Sequence, residues 1–261
     1  LLLWWHFHQP LYKDYKTGEY KLPWVFLHLL KDYSYFLKLA NRYPAVKQNF
    51  NFSPVLLEQI EDYVNLKSSI KDPVIEIFLR NPEEFAGEDL DFLIENFFSI
   101  NLENCILPNK RYHELHLKRK KKDEWSERDI LDLQILFFRN WISPIEIDER
   151  EELKILSEKE EFTLNDKELL WNEIENILDE FLPLLKSTEK LDNIEYTLTP
   201  YYHPILPLII DSNCIKDMGV KLPNVRFSFP EDAKKQIKSA LNYGKDMDFE
   251  INGMWPSEGS L

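Results

Sequence analysis

Apolar and polar residues alternate along this chain in rhythms that change twice. Residues 1–7 are an almost unbroken apolar run, the pattern of a strand buried on both faces. A polar loop rich in Tyr, Lys and Asp follows over residues 11–22. Pro23 then opens a helical stripe in which Phe26, Leu29, Leu30, Tyr33, Phe36, Leu37 and Ala40 recur at helical spacing, predicting a helix to about Arg42. Residues 46–52 alternate, with Val46, Phe50 and Phe52 in phase, and predict a second strand. Ser53-Pro54 supplies a cap and a first-turn proline for a helix carrying Leu56, Leu57 and Ile60.

From residue 73 to residue 187 the rhythm is that of long helices separated by charged linkers. Ser126-Glu127-Arg128-Asp129 resembles a capping box ahead of the apolar stretch 130–141, and Thr163 precedes another helical pattern over 169–186. Strand character returns at 194–199. Pro230-Glu231-Asp232 starts a further helix with acids in its first turn, Gly244 reads as its stop, and residues 249–254 read as a fourth strand. The expected organisation is therefore first βα units over 1–72, a helical insertion over 73–187 and further βα units over 188–261.

Composition narrows the function classes. With 261 residues and 44% hydrophobic content the chain can bury a sizeable core. A net charge of −14 argues against general affinity for nucleic acid or anionic membranes, and is compatible with a neutral ligand such as a sugar. The basic run Lys118-Arg119-Lys120-Lys121-Lys122 reads as a solvated face or mobile loop. Cys105 and Cys214 lie far apart without metal-like spacing, which fits a reduced, cytoplasmic compartment. No apolar run approaches the ~20 residues that span a bilayer. Residues 1–7 lack the basic flank and cleavage site of a signal peptide, and both ends of the chain read as cut.

Polar residues gather at the C-terminal end of each expected strand: His6, His8 and Gln9, then Asn51 and Ser53, then His203, then Glu258. On a strand, His6 and His8 point to one face. They are either satisfied core polars or the lining of a pocket. His203 sits between Pro200-Tyr201-Tyr202 and Pro204, a stiff mount beside tyrosines suited to sugar contact, Tyr202 among them. In Gly253-Met254-Trp255-Pro256-Ser257-Glu258-Gly259-Ser260 an indole precedes a carboxylate by three positions. An indole stacks on the apolar face of a pyranose, and a carboxylate can meet its anomeric carbon. Strand-end polar residues of this kind are the signature of a β/α barrel rim. Four strands cannot close a barrel, so the pattern reads as the first part of one.

Three stretches, His6-Phe7-His8-Gln9-Pro10, Thr199-Pro200-Tyr201-Tyr202-His203-Pro204-Ile205-Leu206-Pro207-Leu208 and Gly253-Met254-Trp255-Pro256-Ser257-Glu258-Gly259-Ser260, resemble the catalytic domain of glycoside hydrolase family 57. Lesser matches are Asp129-Ile130-Leu131-Asp132-Leu133-Gln134 and Pro230-Glu231-Asp232-Ala233. The resemblance implies an α/β fold, the N-terminal part of an incomplete (β/α)7 barrel with a long helical insertion. It implies retaining action on α-linked glucans, as in the family's α-amylases, 4-α-glucanotransferases and amylopullulanases, without a cofactor or metal. Glu258 matches the nucleophile, and His8 and His203 match histidines lining the sugar subsite. His6, Gln9 and Trp255 are expected in the same pocket. The family's acid/base is an aspartate in a later motif, expected beyond residue 261, so the chain as given is expected not to turn over. Two alternatives stay open. One is a zinc-dependent barrel of the α-mannosidase or deacetylase kind, with His6 or His8 and His203 as ligands. The other is a non-catalytic glucan-binding chain or one half of a split enzyme.

Overall fold

The computed structural model describes residues 3–214 and 226–260. In chain order it begins β1 (Leu3–Phe7), α1 (Trp24–His28), α2 (Ser34–Arg42), β2 (Gln48–Phe52), α3 (Pro54–Leu66), α4 (Pro73–Leu79), α5 (Glu88–Asn96) and α6 (Lys110–Lys121). It continues α7 (Glu127–Trp141), α8 (Pro144–Glu149), α9 (Glu151–Glu158), α10 (Leu164–Glu189), β3 (Ile194–Leu198), α11 (Leu206–Ile210), α12 (Pro230–Asp246) and β4 (Gly253–Met254). The fold is α/β, and its sheet is parallel throughout with strand order β1-β2-β3-β4. Parallel neighbours need crossover connections, which here are helical.

The chain divides into two compact units. A sheet unit comprises Leu1–Leu11, Leu39–Glu61 and Pro183–Leu261, and a helical unit comprises Tyr12–Lys38 and Asp62–Leu182.

In the sheet unit, register decides which residues share a face. His6 pairs with Asn51 and Asn51 with Thr197, while Phe7 pairs with Phe52 and Phe52 with Leu198. One face is therefore aromatic and apolar. Phe7 stacks on Phe52 with centroids 5.0 Å apart, and Tyr196 meets Phe52 edge-on at 5.2 Å. Burying each such ring is worth about 1.5–3 kcal/mol. The other face carries Trp4, His6, Asn49, Asn51, Glu195 and Thr197. The expectation that β1 is buried on both faces is thus corrected, because Trp4 is 40% exposed and His6 is exposed as well. Residues 1 and 2 of that run lie outside the described residues.

The other strands are shorter than their apolar runs suggest. Val46 is exposed, and its N–H bonds the Tyr43 carbonyl in a turn before β2 begins at Gln48. Only Gly253 and Met254 of 249–254 join the sheet, and Phe249 instead packs edge-on against Tyr196. Gly244 does not stop α12, which runs on to Asp246. A Cβ at Gly244 would lie 3.0 Å from Ile251 Cγ1 and 3.1 Å from Leu198 Cδ1, so close packing explains the glycine. The expected helix over 23–42 is present but carries a π turn at Leu29–Tyr33 that buries Leu29, Leu30 and Tyr33.

The helical unit is built around α7, a helix buried almost all round. Phe138 meets Phe78 at 4.4 Å and Phe137 meets Phe97 at 4.7 Å. Polar side chains on α7 serve other helices. Gln134 donates to the Ile77 and Arg80 carbonyls at the end of α4, and Arg139 donates to the Leu156 and Lys159 carbonyls at the end of α9. The predicted capping box is present, with Ser126 and Asp129 bonding each other's backbone N–H. The basic run forms the last turn of α6, where positive charge suits the helix C-terminus and Lys118 pairs with Asp129 at 2.9 Å.

Candidate active site

Each strand of the sheet ends in a turn tied to its neighbour. Ser53 N–H bonds the Phe7 carbonyl, Thr199 N–H bonds that of Phe52, and Trp255 N–H bonds that of Leu198. These bonds extend the parallel ladder one step past the strands and bring the residues that follow β1, β2, β3 and β4 together.

Three imidazoles meet there. His8 and His203 stack with centroids 4.1 Å apart and planes 21° from parallel, and His6 lies 4.9 Å from His203. Trp255 closes one side, edge-on to His6 at 4.8 Å, and Trp4 lies 6.4 Å beyond it. His6 Nδ1 is 2.8 Å from Asn51 Oδ1, and His8 Nδ1 is 2.8 Å from the Ser53 hydroxyl. Burial, then the His203 and His6 rings, pushes the His8 pKa down to about 4. Burial and His6 also lower His203, against an opposing pull from the Glu258 carboxylate. Both rings are therefore neutral near pH 7.

Two of these residues are held in an unusual backbone conformation. His203 has φ 55° and Glu258 has φ 56°, the left-handed region that costs a non-glycine residue about 1–2 kcal/mol. His203 also precedes Pro204, which ordinarily favours extended backbone at that position. Its turn is closed by a bond from its own N–H to the Pro200 carbonyl, and Glu258 sits in the 3-10 turn Ser257–Gly259. Among the described residues, His203 Nε2 and Ser257 Oγ are buried without a hydrogen-bond partner. The exposed Glu258 carboxylate forms no hydrogen bond or ion pair with those residues, and its charge is felt at His203.

The structure thus gathers His6, His8, His203, Trp255 and Glu258 at one end of the sheet. Gln9 lies half-buried just after β1. The Tyr202 ring packs edge-on against Tyr201 at 4.9 Å, and Tyr201 in turn donates to Glu58. Sequence reasoning placed Asn51 and Ser53 at a strand end but did not assign them to the histidines. It missed Asn49 and Thr197, although the alternation Asn49-Phe50-Asn51-Phe52 signals a polar face opposite the phenylalanines. Among the described residues no three His, Cys, Asp or Glu side chains are placed to hold a metal ion. No helix among the described residues is long and apolar enough to cross a membrane.

The C-terminal ends of the parallel strands thus bring imidazoles, an indole and a carboxylate to one end of an α/β scaffold, which makes that end the candidate site. The Glycosyl hydrolase family 57 model matches residues 2–261, and the chain belongs to that family. Among solved structures it is similar to a GH57 branching enzyme from the hyperthermophilic archaeon Thermococcus kodakaraensis, in complex with glucose and additives, at 15% identity and TM-score 0.46. It is also similar to the alpha-amylase AmyC from Thermotoga maritima, at 16% identity and TM-score 0.42. The matches cover 98% of this chain but 32% and 35% of those chains, so it spans about a third of their length. No curated protein sequence matches the chain.

Proposed function

We propose that this chain carries the nucleophile and sugar-binding part of a retaining glycoside hydrolase or transglycosylase acting on α-linked glucans. The observation that carries the reading is the Glu258 carboxylate, mounted at φ 56° with its charge felt at His203, a ring that itself packs with His6 and His8 near the Trp255 indole. Family membership supports it. The polar face bearing His6, Asn51 and Thr197 is then the interior of a (β/α)7 barrel whose rim carries the chemistry.

In this reading a glucose unit lies against Trp255, and the histidines bond its hydroxyls. Glu258 attacks the anomeric carbon as the bond to the leaving oxygen breaks, forming a glycosyl ester. The leaving oxygen takes a proton from a second carboxyl group about 5–5.5 Å away. Water or an acceptor hydroxyl then displaces Glu258 and restores its carboxylate. Neutral His8 and His203 suit this step, because an imidazolium would oppose the positive charge that develops on the sugar. The family resemblance assigns the second carboxyl to an aspartate beyond residue 261. Turnover is accordingly expected of the protein that supplies that aspartate and not of this segment alone.

The test is Glu258→Gln in the complete protein, assayed on starch and on maltooligosaccharides. Glucan cleavage or transfer is expected to fall by about 10³-fold or more, with maltooligosaccharide binding retained. Unchanged turnover would overturn the assignment.

A further inference from the structure

A series of side-chain hydrogen bonds crosses the polar face of the sheet and ends on His6. It starts at Glu195 on β3, whose carboxylate accepts from Asn49 Nδ2 at 3.3 Å. With its nitrogen committed to that carboxylate, the Asn49 amide turns its oxygen to Thr197 and accepts the hydroxyl proton at 2.9 Å. A hydroxyl has one proton. Having given it to Asn49, Thr197 Oγ1 accepts from Asn51 Nδ2, also at 2.9 Å. The Asn51 oxygen is thereby left facing His6 Nδ1 at 2.8 Å. An amide oxygen only accepts, so His6 Nδ1 carries a proton, and in the neutral ring Nε2 keeps its lone pair.

Strand register holds these groups in line: His6 lies opposite Asn51, Asn51 opposite Thr197, and Asn49 opposite Glu195. Asn51 is fully buried, and Asn49 and Thr197 are 2% and 5% exposed. Reversing either amide would set two donors or two acceptors against each other where water cannot intervene. The polarity is fixed at one end by a carboxylate, which cannot donate, and is delivered across β2 to β1.

We infer that Asn51 is a positioning residue, oriented through Thr197 and Asn49 by the Glu195 carboxylate, which fixes His6 as the Nδ1–H tautomer. His6 Nε2 is then an acceptor, and a sugar lying against Trp255 must present a hydroxyl as donor to it. The role toward the sugar rests on the glucan reading. The tautomer does not.

The experiment is ¹⁵N NMR of the histidine-labelled full-length protein without sugar, followed by titration with maltoheptaose. In the wild type, His6 is expected to show a protonated Nδ1 and a bare Nε2. Glu195→Gln replaces an obligate acceptor with a group that also donates, at an exposed position, and a second His6 tautomer is expected to appear. Thr197→Val cuts the series in its middle, and a mixed tautomer is expected there too if that variant folds. A wild-type His6 protonated on Nε2 alone, or a tautomer unmoved by Glu195→Gln, overturns the inference. In the titration, Glu195→Gln is expected to weaken maltoheptaose binding about three- to tenfold, part of one hydrogen bond. If the tautomers behave as expected but the wild type does not bind maltoheptaose, the acceptor role and the glucan reading fall together, while the positioning of His6 stands.

Discussion

Two carboxylates show how differently the two units use charge. In the helical unit, burial by itself would raise the Asp129 pKa. Hydrogen bonds from Ser126, Lys118 and Arg111 outweigh it and hold the group well below the usual carboxylate range. Asp129 sits 2.8 Å from Arg111 and 2.9 Å from Lys118. In the sheet unit, Glu258 has no such partner among the described residues and sits in a backbone conformation that disfavours a non-glycine residue. A carboxylate whose lone pairs are all engaged fastens helices together. One left unengaged on a strained turn is available to a ligand, and its cost is borne by the surrounding fold.

That contrast can be broken most directly at Glu258. Glu258→Gly in the complete protein is expected to lower glucan turnover by about 10³-fold or more, since the attacking group is gone. The same change is expected to raise stability by about 1 kcal/mol, because glycine tolerates the left-handed region. Thermal unfolding alongside the activity assay checks both signs, and a fall in stability would show that Glu258 is held by contacts. At Asp129 the opposite is expected: Asp129→Asn should cost about 2 kcal/mol, between the values of exposed and buried ion pairs, read by urea unfolding. A loss under about 0.5 kcal/mol would mean that the network around Asp129 is decorative.

Gly244→Ala sharpens the comparison within the sheet unit. Helix propensity favours alanine by about 1 kcal/mol, while crowding in a packed core costs about 1–3 kcal/mol. With Ile251 Cγ1 at 3.0 Å, a net loss of about 1 kcal/mol is expected in thermal melts, and a gain would show that Ile251 yields freely.

An effect of similar size is one of pH. His8 titrates at about 4 when folded, against an ordinary 6.5, so the unfolded chain binds the proton first as pH falls. Stability from this group is complete above pH 6.5 and is lost between about 6.5 and 4. The loss is about 1–2 kcal/mol after allowing for solvent screening of a half-buried ring. His8→Gln should flatten that part of the melting-temperature profile. Retention of the full slope would place the titration elsewhere.

Local signals in the sequence were enough for several elements. Ser126 and Asp129 form the capping box they spell, and Ser53-Pro54 leads directly into α3. The residues that cap a helix lie within three positions of the backbone groups they serve, so the chemistry is written in one short stretch. The identities of His6, His8, His203, Trp255 and Glu258 as strand-end groups were legible for the same reason. His8, His203, Trp255 and Glu258 come just after strands, and His6 is the next-to-last residue of β1.

Other features depend on residues far apart along the chain. Gly244 looked like a helix stop because glycine usually is one, and only the approach of Leu198 and Ile251 reveals its packing role. The open face of β1 was hidden because Trp4 and Trp5 read as equally apolar, and pairing with Asn49 and Phe50 separates them. His6 and Asn51 are 45 positions apart, and Asn51 and Thr197 are 146 apart, yet parallel register sets them side by side. Sequence determined which groups this protein has at its strand ends, because strand period and turn chemistry act over a few residues. Tertiary structure decided which of those groups touch and which carboxylate is left without a partner among the described residues, because hydrogen bonds across a sheet form only once distant strands are in register.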